Sequence, residues 1–171
     1  MAKGAVALQQ VKKLAGEKDE IAKKRCLVVY DSQTGNTEKV AREIATALNA
    51  EFKRIETVND VSGYDLVVFG SPNIKAKPTE KFQTFLATKP QVDNYAVFIT
   101  SGMPLWAIIS GQLCFHYFAK QIGKKPVATI NVKGYHAKAK TYRGHPNQQD
   151  LLSAHLFGIK ALKRVGNISK N

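Results

Sequence analysis

The sequence predicts an α/β protein built on a doubly wound, five-stranded parallel sheet. From Cys26 onward, short apolar runs rich in β-branched residues alternate with stretches of helical periodicity. This alternation is typical of βα units joined by right-handed crossovers. Most of the runs are almost continuously apolar, as expected for strands that helices cover on both faces.

Each element is assigned from its own pattern. The continuously apolar strands are predicted at residues 26–31, 66–71, 96–101 and 127–132. Residues 51–56 are more polar and suit a strand at the edge of the sheet. Helices are predicted near residues 36–49, 78–87, 107–122 and 148–164.

Length and composition favour one domain. The chain has 171 residues, of which 44% are hydrophobic and 23% charged, enough for one well-buried core but not for two full-sized domains. Residues 5–22 have apolar residues at helical spacing, so we expect residues 1–25 to form an amphipathic helical extension and residues 26–171 the α/β domain. No apolar stretch reaches the length of a membrane span, and the N-terminus lacks the apolar region of a secretory signal. A cytoplasmic location is expected.

Positive charge is concentrated at the two ends of the chain. The formal net charge is +13; residues 120–171 contain eleven Lys and Arg against one acidic residue, whereas residues 26–119 contain eight against nine. In residues 133–143, cations alternate with aromatic residues. This basic part could steer an acidic partner protein, contact nucleic acid, or be a charged surface without a dedicated partner.

Cysteine and histidine give no sign of a catalytic or metal site. Cys26 and Cys114 fall in predicted elements and have no CxxC or Cys/His ligand spacing, so we expect both to be small buried hydrophobic residues. The four histidines are scattered along the chain. No nucleophile, base and orienting acid can be assembled from neighbouring residues.

The loop after the first strand has the composition of an anion site. It consists of Ser32, Gln33, Thr34, Gly35, Asn36 and Thr37 and precedes a helix. The start of a helix offers unpaired N–H groups and a positive dipole end, the side chains add donors, and Gly35 permits close backbone approach. Because the lysine of a nucleoside-triphosphate loop and the GxGxxG pattern are both missing, we predict a neutral cup for one terminal phosphate. The alternative is a turn that only caps the helix.

Two further loops belong to the same edge of the predicted sheet, where ligands of parallel α/β proteins bind. They are residues 71–78, which are stiffened by prolines, and residues 101–107, which contain the only tryptophan of the chain. A planar heteroaromatic ring between these loops would meet Ile74, Met103 and Trp106. Packing within the protein is the alternative role of all three side chains.

Four sequence motifs point to a known family. They are Val-Tyr-Asp-Ser-Gln-Thr-Gly-Asn-Thr at 29–37, Phe-Gly-Ser-Pro at 69–72, Thr-Ser-Gly at 100–102 and Gly-His-Pro-Asn at 144–147. With these motifs the chain resembles the flavodoxin family of FMN-binding electron carriers over residues 26–164. The first motif is similar to the phosphate loop of the family, and the next two resemble its ring-binding loops. The resemblance implies a strand order of 2-1-3-4-5.

The resemblance also implies a cofactor and its binding residues. The cofactor is FMN, and the role is a carrier that cycles the flavin through its redox states, rather than a catalyst. The implied phosphate contacts come from Ser32, Thr34, Asn36 and Thr37 and from the backbone at Gln33 and Gly35. The implied ring contacts come from Ser71, Pro72, Asn73, Ile74, Ser101, Gly102, Met103 and Trp106.

The charge of the chain favours acidic redox partner proteins and leaves two other functions open. Flavodoxins that carry electrons are typically acidic around the flavin, whereas this chain has Lys75 and Lys77 in the second loop. We expect these lysines to raise the second one-electron potential, because reduced FMN is an anion. One alternative is an FMN-dependent reductase of a quinone or a similar acceptor. The other is a flavin-free protein whose basic surface binds nucleic acid.

Overall fold

Five parallel strands form one sheet in the computed structural model, which describes residues 23–104 and 107–168. Its order is β2-β1-β3-β4-β5, so the predicted fold class and strand order are confirmed. The strands are β1 (Cys26–Tyr30), β2 (Glu51–Arg54), β3 (Leu66–Pro72), β4 (Tyr95–Ser101) and β5 (Ala128–Lys133).

Four helices cover the sheet. Their bounds are α1 (Asn36–Leu48), α2 (Glu80–Ala87), α3 (Ala107–Ile122) and α4 (Gln148–Ile168). Helices α1 and α4 pack on one face of the sheet, and α2 and α3 pack on the other. The predicted bounds agree to within a few residues, except that α4 runs four residues further than the predicted end at 164 and the second strand ends at Arg54, where a 3-10 turn (Ile55–Thr57) follows.

The central strands β1, β3 and β4 owe their continuous apolar sequence to burial on both faces. In β1, Val28 and Tyr30 belong to the core beneath α1 and α4, while Leu27 and Val29 belong to the core beneath α2 and α3. Successive side chains of a strand point to opposite faces, so every position of such a strand needs an apolar residue.

The prediction that β5 is covered on both faces is wrong. Ala128 and Val132 are buried, but Thr129, Asn131 and Lys133 between and after them are exposed. The strand lies at the edge of the sheet, and α3 leaves its second face partly open, so that face accepts polar side chains. The other edge strand, β2, is partly exposed throughout, as the sequence predicts.

The predicted helix at residues 5–22 lies outside the described residues, as does Trp106. Within the described ranges, no helix is both long enough and apolar enough to cross a membrane.

Candidate functional site

A cavity of about 780 Å³ opens at the carboxyl end of the sheet. Pockets of several hundred cubic ångströms hold ligands of cofactor size. Most of the residues that the sequence nominates line it: Gln33, Thr34, Asn36, Thr37, Pro72, Asn73, Ile74, Ser101, Gly102 and Met103. Ser32, Gly35 and Ser71 do not line the cavity, and Trp106 is among the residues that are not described.

The loop between β1 and α1 leaves the start of the helix open. Gly35 is the N-cap residue, with a φ of +84° that glycine adopts without strain, and no side chain caps the helix. Lys39 is the first helical residue whose N–H reaches a backbone acceptor, Gly35 O at 3.1 Å. Among the described residues, the N–H groups of Asn36 and Thr37 find no acceptor. The hydroxyls therefore do not act as helix caps, and these N–H groups can hold an anion.

Ser32 stabilises the conformation of this loop. Its side chain is buried, and its Oγ accepts a 3.1 Å hydrogen bond from the Gly35 N–H. Its carbonyl oxygen accepts a 3.1 Å hydrogen bond from Nη2 of Arg54, at the end of β2. The Ser32 hydroxyl is therefore engaged within the loop, and the phosphate contact that the family resemblance implies for Ser32 stays a prediction. Arg54, which the sequence did not single out, positions the loop.

Two residues of the first turn of α1 connect it to strand β4 and to the loop after β5. Thr37 Oγ1 and Thr100 Oγ1 form a buried hydrogen bond of 2.8 Å, which joins α1 to the end of β4. Asn36 Nδ2 donates a 2.9 Å hydrogen bond to the carbonyl oxygen of Tyr135, in the loop after β5. These polar side chains fix the loop around the cavity as well as lining it.

Ser71 is a structural residue of the second loop. It is fully buried, and its Oγ accepts a hydrogen bond of 3.0 Å from the Thr79 N–H while donating one of 2.9 Å to Pro72 O. These bonds fix the two ends of the loop that follows β3. The Ser71 hydroxyl is therefore engaged within the loop, and the ligand contact that the family resemblance implies for this residue stays a prediction.

The tip of the second loop is a two-residue turn at the rim of the cavity. Ile74 N–H bonds Lys77 O at 2.8 Å, and Lys77 N–H bonds Ile74 O at 3.1 Å. The two central residues, Lys75 and Ala76, have φ of +50° and +68° and both line the cavity. Residues other than glycine rarely adopt this left-handed backbone conformation. The backbone is therefore strained where it places Lys75 and Ala76 at the rim.

Asn73 has an unpartnered acceptor. Its Nδ2 donates to Ser110 Oγ at 2.9 Å and to Ser101 Oγ at 3.3 Å. Its Oδ1 is buried and has no hydrogen-bond partner among the described residues. Buried polar atoms are nearly always paired, so an unpaired acceptor on a residue that lines a cavity can receive a hydrogen bond from a ligand.

The loop after β5, residues 134–145, is a fourth wall of the cavity. The sequence left three roles open for its basic residues: steering of an acidic partner, contact with nucleic acid, or a charged surface without a dedicated partner. The Gly134 N–H donates to Ser101 O at 3.0 Å, and Thr141 Oγ1 donates to Gly102 O. The wall is completed by Gly134, Tyr135, His136, Ala137 and Lys138. A signal was present: the loop follows a strand at the same carboxyl edge as the other three loops.

Gly102 is required for this packing. A Cβ at residue 102 would lie 2.5 Å from the Cβ of His136, which real structures do not allow. The backbone of Gly102 therefore packs directly against the side chain of His136 where the third and fourth loops meet. Among the described residues, Lys75 and Lys138 line the cavity and no carboxylate does.

Both cysteines are buried and free, as predicted. Burial raises the pKa of the Cys26 thiol to about 11 and that of the Cys114 thiol to about 12. Neither residue lines the cavity. Both thiols stay protonated at neutral pH, so they pack as hydrophobic side chains.

Comparison with known proteins identifies the family. A family model described as a flavodoxin domain matches residues 27–105. An uncharacterized protein of Methanocaldococcus jannaschii is 31% identical over 150 residues, which cover 81% of this chain and 99% of that protein. The chain belongs to the flavodoxin family. This flavodoxin carries the three motifs at residues 29–37, 69–72 and 100–102 at the edge of the cavity.

Solved structures share the flavodoxin fold. The oxidised Flavodoxin 2 of Bacillus cereus superposes with a TM-score of 0.63 at 17% identity, over 82% of this chain and 99% of that one. A flavoprotein of Lactobacillus acidophilus, solved in complex with FMN, has a TM-score of 0.53 at 19% identity, over 63% of this chain and 93% of that one. At these identities the likeness is one of fold.

Proposed function

We propose that this flavodoxin binds FMN and carries electrons between redox partner proteins with acidic surfaces in the cytoplasm. The observation that carries the proposal is the open start of α1. Its N–H groups at Asn36 and Thr37 have no acceptor among the described residues, and these two residues line the same cavity as the loops after β3 and β4. One ligand with an anionic end and a planar end suits this arrangement.

The cup fits a terminal phosphate. Thr34 and Gln33 are exposed at the cavity, and neither side chain has a hydrogen-bond partner among the described residues. With the N–H groups of the helix start, they supply neutral donors to phosphate oxygens. Arg54 would keep the loop in this shape through Ser32 O. The cup needs no lysine, because the helix dipole and the aligned N–H groups stabilise the negative charge of the phosphate.

The second and third loops fit a flavin ring. Pro72, Ile74 and Met103 give the cavity apolar sides, and Asn73 Oδ1 offers an acceptor for a ring N–H. When bound, FMN supplies one-electron and two-electron transfer. The role of the protein residues is then to hold the ring, exclude water from part of it and leave one edge accessible to a partner.

The cavity wall favours a carrier over a catalyst. Among its described residues it has no Asp, Glu or Cys, and its one histidine is His136. The Nδ1 atom of His136 accepts a 3.0 Å hydrogen bond from the Ala139 N–H, so this nitrogen is occupied. Acid–base catalysis most often uses His, Asp or Glu, and of these the described wall contains one histidine alone.

The test is a comparison of FMN with riboflavin, which lacks the phosphate. We expect the purified protein to show a visible flavin band or to acquire one with added FMN. We expect FMN to bind about a hundredfold more tightly than riboflavin or better, because each hydrogen bond to a charged group contributes about 1.5–3 kcal/mol. Thr34→Val should narrow this preference, and Thr46→Val, at the far end of α1, should not.

Two outcomes would overturn parts of this proposal. If no flavin band appears and added FMN does not bind, flavin binding is wrong. In that case, binding of DNA or RNA with a steep salt dependence would favour the nucleic-acid function. If the purified protein alone oxidises NAD(P)H continuously with a quinone as acceptor, it is a reductase rather than a carrier.

A further inference from the structure

The outer face of α3 exposes aliphatic side chains along its first turns. Ile108 is 79% exposed, Ile109 58% and Leu113 54%. The opposite face of the same helix packs on the sheet through Cys114 and Phe118, both fully buried. The helix therefore has two apolar faces, of which the sheet covers one and the other is exposed. Neighbouring exposed apolar side chains of this size are typical of interaction sites.

This apolar surface continues to the mouth of the cavity. Ser110, between the exposed isoleucines and Leu113, lines the cavity and is held there by Asn73 Nδ2. Met103 and Ile74 line the cavity too, and they are 47% and 41% exposed. We call Ile74, Met103, Ile108, Ile109 and Leu113 together the α3 patch. A macromolecule seated on the α3 patch would also cover the cavity mouth.

The surroundings of the α3 patch are basic. Residues 94–149 contain seven Lys and Arg and no Asp or Glu. Lys138 lies in the cavity wall and Lys75 on the opposite rim, while Lys120 is exposed further along α3. Apolar surface bordered by cations is complementary to apolar surface bordered by carboxylates.

We infer that the α3 patch is the docking surface for an acidic partner protein, which presents an apolar centre with carboxylates around it. The inference rests on the proposed function for its purpose, since docking here would bring the redox centre of a partner to the cavity mouth. The surface is defined by α3 and the cavity rim, and not by the lysine-rich fourth loop alone. The apolar contacts supply affinity, and the lysines steer the encounter and orient the complex.

Other occupants match the surface less well. In a symmetric dimer, the patch of one copy would face the same patch of another. This arrangement would bring Lys75 and Lys138 of each copy close to those of the other, and residues 94–149 offer no carboxylate to pair with them. Single-stranded nucleic acid stacks on aromatic side chains, whereas the exposed members of the α3 patch are aliphatic or thioether side chains.

The probe for this inference is a fluorescent synthetic helical peptide, with leucines along one face and glutamates on both sides of that face. A second peptide of the same composition has the leucines and glutamates permuted. Binding of both to the purified full-length protein is measured by anisotropy over a range of salt concentrations. We expect the first peptide to bind at least about tenfold more tightly than the permuted one, because only the first presents an apolar centre.

The test variant is Ile109→Ser with Leu113→Ser, and the chain provides a matched control. Leu152 and Leu156 are 51% and 56% exposed on α4, on the other face of the sheet. We expect the α3 variant to weaken peptide binding by about tenfold or more, since two apolar contacts are removed. We expect Leu152→Ser with Leu156→Ser to leave it unchanged. Far-ultraviolet circular dichroism checks that both variants are folded.

Several results would overturn the inference. These are equal binding of the two peptides, equal loss in the α3 and α4 variants, or no peptide binding at all. Binding to phosphatidylserine vesicles that depends on Ile109 and Leu113, without peptide binding, would identify a membrane surface instead. Concentration-dependent sedimentation that the α3 variant abolishes would identify self-association.

FMN titration of the same samples separates this inference from the proposed function. Loss of peptide binding in the α3 variant with FMN binding unchanged supports the docking surface. Peptide binding that depends on α3 in a protein that does not take up FMN supports the surface and rejects the flavin function. FMN binding without α3-dependent peptide binding supports the flavin function and rejects the docking surface.

Discussion

The side chain of Asn36 donates a 2.9 Å hydrogen bond to the carbonyl oxygen of Tyr135, which is 99 residues away in the sequence. This bond joins the loop after β1 to the loop after β5. The side chain of Asn36 also packs against Gly134, where an added Cβ would lie 3.2 Å from Nδ2. The loop after β1 and the loop after β5 are therefore directly connected, so a change in one should alter the conformation of the other.

We predict that Asn36→Ala weakens FMN binding by about five- to tenfold, because one hydrogen bond of about 1 kcal/mol that positions the cavity wall is lost. Isothermal titration calorimetry measures the affinity. Thr46→Ala, on an exposed part of the same helix, serves as the control. FMN affinity that is the same in Asn36→Ala and wild type would show that the fourth loop needs no such connection.

The buried hydroxyl pair of Thr37 and Thr100 should contribute to stability as a unit. Thr37→Val keeps the side-chain shape but leaves Thr100 Oγ1 without its partner at 2.8 Å. We expect the free energy of unfolding to fall by about 1–3 kcal/mol, the cost of an unsatisfied buried polar group. Urea unfolding followed by circular dichroism measures it.

The double variant tests the coupling. Replacing both threonines by valine removes the unpaired hydroxyl, so we expect Thr37→Val with Thr100→Val to be more stable than the sum of the single changes predicts, by about 1 kcal/mol. Strictly additive losses would mean that the two hydroxyls do not depend on each other.

We predict that Gly102→Ala disturbs the cavity more than the core. The new methyl group would lie 2.5 Å from the Cβ of His136, so the fourth loop must move away. FMN affinity should fall by about tenfold or more, at an overpacking cost of about 1–3 kcal/mol. Gly166→Ala in α4 is the control, since a Cβ there meets nothing within 4 Å. Equal affinities of the two variants would contradict the prediction.

The fold was predictable because its signals are local. The almost continuous apolar residues of β1, β3 and β4 reflect burial on both faces, and the periodicity of each helix reflects the one face that is buried. The edge strand β5 differs from the central strands because Thr129 and Asn131 alternate with Ala128, Ile130 and Val132, which is the pattern of a strand buried on one face. Its high content of apolar residues alone does not reveal this difference.

The site was predictable where it follows a motif and unpredictable where it depends on contacts. The lining by Thr34, Asn73 and Met103 follows from their place after the strands. The burial of Ser71 and the packing of His136 on Gly102 depend on which loops meet in space. The sequence places the loop after β5 at the same edge of the sheet as the other loops, but it does not show that residue 136 contacts residue 102.

The structure distinguishes the two lysines of the second loop. Lys75 lines the cavity, whereas Lys77 does not. We predict that Lys75→Gln lowers the second one-electron potential of bound FMN more than Lys77→Gln does. A cation about 8 Å away at an effective dielectric of about 20 is worth about 2 kcal/mol, or on the order of 90 mV, and solvent screening makes this an upper value.

Redox titration of the FMN-loaded proteins measures these potentials. Lys160→Gln is the control, because Lys160 is exposed on α4. If the second one-electron potential of FMN in Lys75→Gln equals the potentials in Lys160→Gln and Lys77→Gln, then Lys75 has no influence on the flavin. This outcome would leave FMN binding itself unaffected.

At the opposite end of the sheet, Asp65 should make stability depend on acid pH. Partial burial disfavours its charge, but a 2.8 Å hydrogen bond from the Arg25 N–H and a 3.0 Å contact with Lys24 Nζ outweigh that effect, so the pKa of Asp65 lies below its usual value. A carboxyl group whose folded pKa is lowered stabilises the fold above its unfolded pKa. This stabilisation is lost as the pH falls through the folded pKa.

We predict that Asp65→Asn lowers the free energy of unfolding by about 1 kcal/mol or less at neutral pH, because the side chain is partly exposed. This loss should shrink on acidification. Urea unfolding from neutral pH down to about pH 3, near the range where aspartate titrates, measures it. The control is Asp93→Asn, whose exposed side chain has no hydrogen-bond partner among the described residues. Parallel stability curves for wild type and Asp65→Asn across this range would contradict the assignment, because they would mean that the Asp65 carboxyl titrates alike in the folded and unfolded chains.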